Sequence, residues 1–83
     1  MNDGGVMEVT LLAFGPLAEI VNWKREQITV ENNQTVTQVL HILKIEDWIE
    51  KGLIVARNGI HCELDTKLEN GDELALLPPV SGG

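Results

Sequence analysis

Few groups in this chain could do chemistry, and most are placed against it. Cys62 alternates with Ile60 and Leu64 in a strand-like run, so it reads as a small core hydrophobe rather than a nucleophile. His61 is its neighbour, and successive strand side chains diverge, which breaks any Cys/His dyad. His41 falls on the solvent side of a helical pattern, and two histidines without helical or hairpin spacing make no metal site. No Gly-x-Ser-x-Gly is present, there is no glycine-rich phosphate loop, and the carboxylates are scattered over turns. The remaining reactive group is the terminal carboxylate of Gly83. Gly-Gly alone is as readily a frayed end, but here Pro78-Pro79 stiffens the exit from a strand. Val80-Ser81-Gly82-Gly83 then makes a thin tail that fits a channel too narrow for a Cβ. Such a carboxylate is a poor electrophile until ATP adenylates it; sulfide attack on the acyl-adenylate then leaves a thiocarboxylate.

The elements that must hold this tail are legible in outline. Val6 to Phe14 has the β-branched content of a strand, and Gly15-Pro16 ends it. Leu17 to Val21 is expected as a helical turn laying Leu17 and Ile20 on a sheet. Glu26 to Val30 is expected as a second strand paired with the first. Asn32-Asn33-Gln34 is a turn, Thr35 or a neighbouring Asn a cap, and Val36, Val39, Leu40 and Leu43 mark the main helix. Trp48 and Ile49 fit an irregular turn within Ile45 to Lys51, and Gly52 is a stop before the strand Leu53 to Arg57. Asn58-Gly59 predicts a hairpin, because both residues tolerate positive φ. Ile60, Cys62 and Leu64 are expected inward from the following strand, with His61 and Glu63 outward. After a turn at Asn70-Gly71-Asp72, Leu74 and Leu76 face inward from Glu73 to Leu77. The pattern is α+β, with one main helix crossing a small mixed sheet.

Composition narrows the function classes. At 83 residues one core is expected, with 1–5 frayed and 78–83 as an extended tail. A formal charge of −7 is the wrong sign for nucleic acid or an anionic membrane and favours a basic protein partner. The apolar runs are far shorter than a bilayer span, Asp3 sits where a secretory signal wants cations, and one cysteine makes no internal disulfide. A cytoplasmic location is expected.

The ending Asn70-Gly71-Asp72-Glu73-Leu74-Ala75-Leu76-Leu77-Pro78-Pro79-Val80-Ser81-Gly82-Gly83 resembles that of the small, sulfur-carrying subunit of molybdopterin synthase. The opening Val9-Thr10-Leu11-Leu12-Ala13-Phe14-Gly15-Pro16-Leu17-Ala18-Glu19-Ile20 is similar to the same family's first strand and turn. The resemblance implies a β-grasp (ubiquitin-like) fold and a carrier that is no enzyme by itself. It implies an E1-like adenylyltransferase that spends ATP on Gly83, and a persulfide donor that forms the thiocarboxylate, with no bound cofactor. It further implies docking on the large synthase subunit, in a heterotetramer, where the tail gives sulfur to the pyranopterin precursor of the molybdenum cofactor. Thiamine carriers share the Gly-Gly but usually lack Pro-Pro-Val; other thiolation pathways (tRNA among them), a ubiquitin-like protein modifier and an interaction module with an inert tail stay open, as does the metal, molybdenum or tungsten. Against the family pattern, the stretch between Thr35 and Leu53 is short, and Arg57 stands at an expected apolar position.

Alternation also predicts a partner surface. If Val9, Leu11 and Ala13 face the helix, then Leu12, Phe14, Ala75 and Leu77 face away. Phe14, Leu77 and His61 are expected to form an exposed apolar patch near the tail exit, rimmed by Glu63, Glu69, Asp72 and Glu73.

Overall fold

A computed structural model of the chain describes residues 5–79. Five strands form one mixed sheet: β1 (Val6–Ala13), β2 (Arg25–Glu31), β3 (Ile54–Arg57), β4 (Ile60–His61) and β5 (Glu73–Leu77). Their spatial order is β2-β1-β5-β3-β4. β1 pairs antiparallel with β2, as expected, and parallel with β5, while β3 runs antiparallel to both β5 and β4. The first and last strands of the chain thus lie side by side at the centre of the sheet, and the chain leaves β5 between the end of β1 and the start of β3.

One face of the sheet is covered. Met7, Val9, Leu11 and Ala13 of β1 are buried in strict alternation, and Val30, Val55, Leu74 and Leu76 join them. Against this face lie α1 (Pro16–Val21), α2 (Val36–Ile42) and α3 (Asp47–Glu50). From α2 the buried side chains are Val36, Val39 and Leu40. Trp48 and Ile49 of α3 pack partly on the same core, and Lys51 sits 4.8 Å above the Trp48 ring.

Helix α2 starts where it does because its first amide donors are taken. Thr35 is the N-cap of a capping box: its hydroxyl accepts from the Gln38 amide while the Gln38 side chain accepts from the Thr35 amide. The Val36 and Thr37 amides donate to the Thr66 and Leu64 carbonyls, which ties the loop before β5 to the helix start. A bridge between Thr35 and Lys67 extends that tie.

Three expectations about burial are corrected. Ile20 is exposed, because the single-turn helix α1 turns Leu17, Ala18 and Val21 to the core and the i+3 position falls off that face. Ile60 is 72% exposed although its parity is right: it pairs with Arg57, which pairs with Leu74, so it lies on the covered side but beyond the reach of any helix. β4 is also only two residues long, so Cys62 and Leu64 lie in the loop that follows, half-buried against the core. The third concerns Asp72, expected on an acidic rim.

Asp72 is 7% exposed and organises the turns beside β5. It accepts hydrogen bonds from the Asn58 side-chain amide at 3.0 Å and the Glu69 backbone amide at 2.8 Å. Asn58, at φ 53° in the hairpin turn, accepts in turn from the Glu73 amide and donates its own amide to the Glu73 carbonyl. Arg57, on the covered side, places Nε 3.6 Å from Asp72 and donates to the Lys67 carbonyl. An arginine therefore closes the sheet edge where an apolar residue was expected.

Candidate functional site

The uncovered face of the sheet carries the candidate site. Reading the register across the strands, Arg25, Leu12, Ala75, Ala56 and His61 form one row. The next row toward the tail holds Leu77 beside Ile54, with Phe14 beside Leu77 by continuation of the β1–β5 register. Phe14 is 45% exposed, while Leu12, Ala75, Leu77, Ile54 and Ala56 are half-buried. Among the described residues no helix covers them. Leu12, Ala56, Ala75, Phe14, Leu77 and Ile54 make an apolar patch on and beside the strand from which Pro78 departs, with Arg25 and His61 at the ends of the first row.

Phe14 and Leu77 are brought together as expected; His61 is not. It is exposed on β4, three strand spacings from β1, or roughly 14 Å across the sheet. His61 therefore sits at the patch margin. Ile54 and Ala56 were missed in the sequence, because Leu53 to Ala56 reads as an unbroken apolar run whose parity only the pairing with β5 resolves. Of the acidic residues expected around it, Glu73 lies on this face and approaches Arg25 at 3.9 Å, while Glu63 and Glu69 are exposed in the loops.

The root of the tail is held by the loops on either side. Phe14 donates its amide to the Leu76 carbonyl, extending the β1–β5 pairing to the last turn before the exit. Pro78 and Pro79 are half-buried. Proline after Leu77 biases that residue to the extended backbone it has in β5, and Pro79 does the same for Pro78. Val80, Ser81, Gly82 and Gly83, the reactive end of the sequence analysis, lie outside the described residues, as do Met1 to Gly4.

Elsewhere little competes. His41 is exposed and pairs with Glu46 at 3.0 Å, a surface contact at the end of α2. Among the described residues no three side chains of His, Cys, Asp or Glu converge as metal ligands, and no helix is long and apolar enough to cross a membrane. A groove of about 530 Å³ between β2 and the end of α2 includes Val6 and Ile42 in its lining. It opens at the end of β1 opposite to the tail exit.

A mixed sheet in the order β2-β1-β5-β3-β4, packed on one face by a principal helix and open on the other, defines a β-grasp, ubiquitin-like protein. The solution structure of the HVO 2177 protein of Haloferax volcanii superposes with a TM-score of 0.82 at 33% identity, covering 100% of this chain and 92% of that one. The chain belongs to the ThiS family, whose sequence profile matches residues 11–83. It is 36% identical to the molybdopterin synthase sulfur carrier subunit of Drosophila erecta over 98% of this chain and 97% of that protein. It is 33% identical to the small archaeal modifier protein 3 of H. volcanii, over 93% of this chain and 100% of that protein. A protein–protein complex of subunits 1 and 2 of the molybdopterin-converting factor of Helicobacter pylori contains a chain 30% identical, with a TM-score of 0.60, covering 93% of this chain and 100% of that one.

Proposed function

We propose that this protein is the sulfur-carrying subunit of a molybdopterin synthase. In this reading an adenylyltransferase activates the Gly83 carboxylate with ATP, releasing pyrophosphate. The terminal sulfur of a persulfide donor then attacks the acyl-adenylate and displaces AMP, and a second thiol of the donor reduces the resulting acyl disulfide, which leaves a C-terminal thiocarboxylate and a disulfide on the donor. The charged carrier docks through the open sheet face on a larger subunit, and the tail delivers sulfur to the pyranopterin precursor bound there. Pro78, Pro79, Val80, Ser81 and Gly82 serve as the tether, and Phe14 and Leu77 anchor the docking surface with His61 at its margin. The carrier supplies no side-chain catalysis of its own.

The observation that carries this reading is the placement of the apolar patch. Leu12, Phe14, Ala75, Leu77 and Ile54 surround the strand that ends in the tail, so one docking event would bury the patch and deliver the C terminus to the same partner. The relatives named as sulfur carrier subunits and the complex of the H. pylori homologue support the choice of pathway and the large subunit as partner. A second reading is favoured by the archaeal modifier relative: Gly83 would form an isopeptide bond with a lysine of a target protein.

Intact mass spectrometry separates the two. Incubated with a competent adenylyltransferase, ATP and a persulfide donor, the full chain is expected to gain the mass difference between sulfur and oxygen, and a Gly83-deleted chain is expected to gain nothing. Conjugates at higher mass in a lysate, with no such gain, would instead establish the modifier.

A further inference from the structure

The exit of β5 is flanked by two glycines in left-handed backbone. β1 runs parallel to β5, so the residues that follow β1 lie beside those that follow β5. β3 runs antiparallel to β5, so the residues that precede β3 lie on the other side of the same exit. These positions are Gly15, at φ +57°, and Gly52, at φ +100°. A Cβ on Gly15 would stand 3.3 Å from Cγ of Pro78, and one on Gly52 would stand 3.2 Å from Cβ of Pro79, both inside ordinary van der Waals contact. Two loops far apart in sequence thus each omit a side chain where one proline of the tail passes. Gly59 and Gly71, at φ +83° and +88°, differ in that nothing lies within 4 Å of a Cβ added to either. Left-handed turns alone account for Gly59 and Gly71. At Gly15 and Gly52 the close approach of the tail is a second requirement.

We propose that Gly15 and Gly52 are positioning residues that form a saddle for Pro78 and Pro79 and set the direction in which the chain continues toward Gly83. Rigid prolines seated between two fixed loops fix the direction in which the chain leaves Pro79. That reduces the orientational freedom lost when the tail enters a partner's site. The saddle acts on aim and leaves the apolar patch untouched. This inference rests on the carrier reading for its consequence, although the seating of the prolines is independent of it.

The test compares Gly52→Ala with Gly71→Ala in the full chain, both carrying a C-terminal thiocarboxylate made by cleaving a thioester fusion with sulfide. Both substitutions put alanine into nearly the same left-handed backbone, but only Gly52→Ala meets Pro79. Sulfur transfer in the presence of a molybdopterin synthase large subunit is expected to show a fall in kcat of roughly tenfold or more for Gly52→Ala, with KM for the carrier unchanged, since small misplacements of reacting groups are costly. Gly71→Ala is expected to keep the wild-type kcat. Wild-type kcat in Gly52→Ala, or equal losses in the two variants, overturns the proposal. A nuclear Overhauser contact between the Pro79 ring and the Gly52 α-protons is expected in the wild-type protein. Its absence also overturns the proposal, and because it needs no sulfur chemistry it decides the matter even if the wild-type chain transfers nothing and the carrier reading falls.

Discussion

Replacing Asp72 by alanine is expected to destabilise this protein more than any other removal of a single carboxylate. The side chain accepts two hydrogen bonds, from Asn58 Nδ2 and the Glu69 amide, in a site nearly closed to water. A hydrogen bond to a charged acceptor contributes about 1.5 kcal/mol, so the two together contribute about 3 kcal/mol. The Arg57 pair at 3.6 Å adds little, about 0.5 kcal/mol, because the arginine side chain is 34% exposed and screened. The expected loss is thus about 3.5 kcal/mol, equivalent to a fall in Tm of roughly 15–25 °C for a domain this small. Asp72→Asn keeps one carbonyl oxygen for the two donors and should lose about half as much. Removing a negative charge from a chain at −7 also relieves self-repulsion, and Glu69→Ala controls for that, since its side chain is exposed and its backbone amide is kept. Urea denaturation followed by the fluorescence of Trp23 and Trp48, both packed against the core, reads all three variants. A loss below about 1 kcal/mol for Asp72→Ala, or a Glu69→Ala loss of the same size, refutes the assignment of Asp72 as the clasp between the hairpin turn and β5.

Three further substitutions test the surface and the helix. Phe14→Ala and Leu77→Ala should each weaken binding to a molybdopterin synthase large subunit by about 2 kcal/mol, near 30-fold in Kd by calorimetric titration, as central apolar anchors do. Circular dichroism of the free variants should match the wild type; unchanged affinity would remove the patch from the docking surface. Thr35→Ala removes the N-cap hydroxyl of α2 and should cost about 1 kcal/mol in urea denaturation, and a neutral result would mean that the Leu64 and Thr66 carbonyls alone hold the helix start.

The local pattern of the chain determined most of its elements. The alternation of Met7, Val9, Leu11 and Ala13 and the three-four-seven spacing of Val36, Val39, Leu40 and Leu43 specify a strand and a helix, because the burial period of each is a property of neighbouring residues. Asn58-Gly59 specifies the hairpin turn through its own backbone freedom, and the Pro-Pro segment followed by Gly-Gly specifies a stiff exit with a slender end. Tertiary structure decided what lies beside what. Ile60 has the parity of a core residue and is exposed, because no helix reaches the sheet edge. Asp72 looks like any turn carboxylate and is buried, because the hairpin turn brings Asn58 against it from fourteen residues away. Ile54 and Ala56 enter the patch only through their register with β5, and Gly15 and Gly52 meet the tail only because one neighbour of β5 runs parallel and the other antiparallel. Periodicity records which side a residue faces. Whether that side is covered, and by which residue, depends on pairings between segments far apart in the chain, which no local pattern carries.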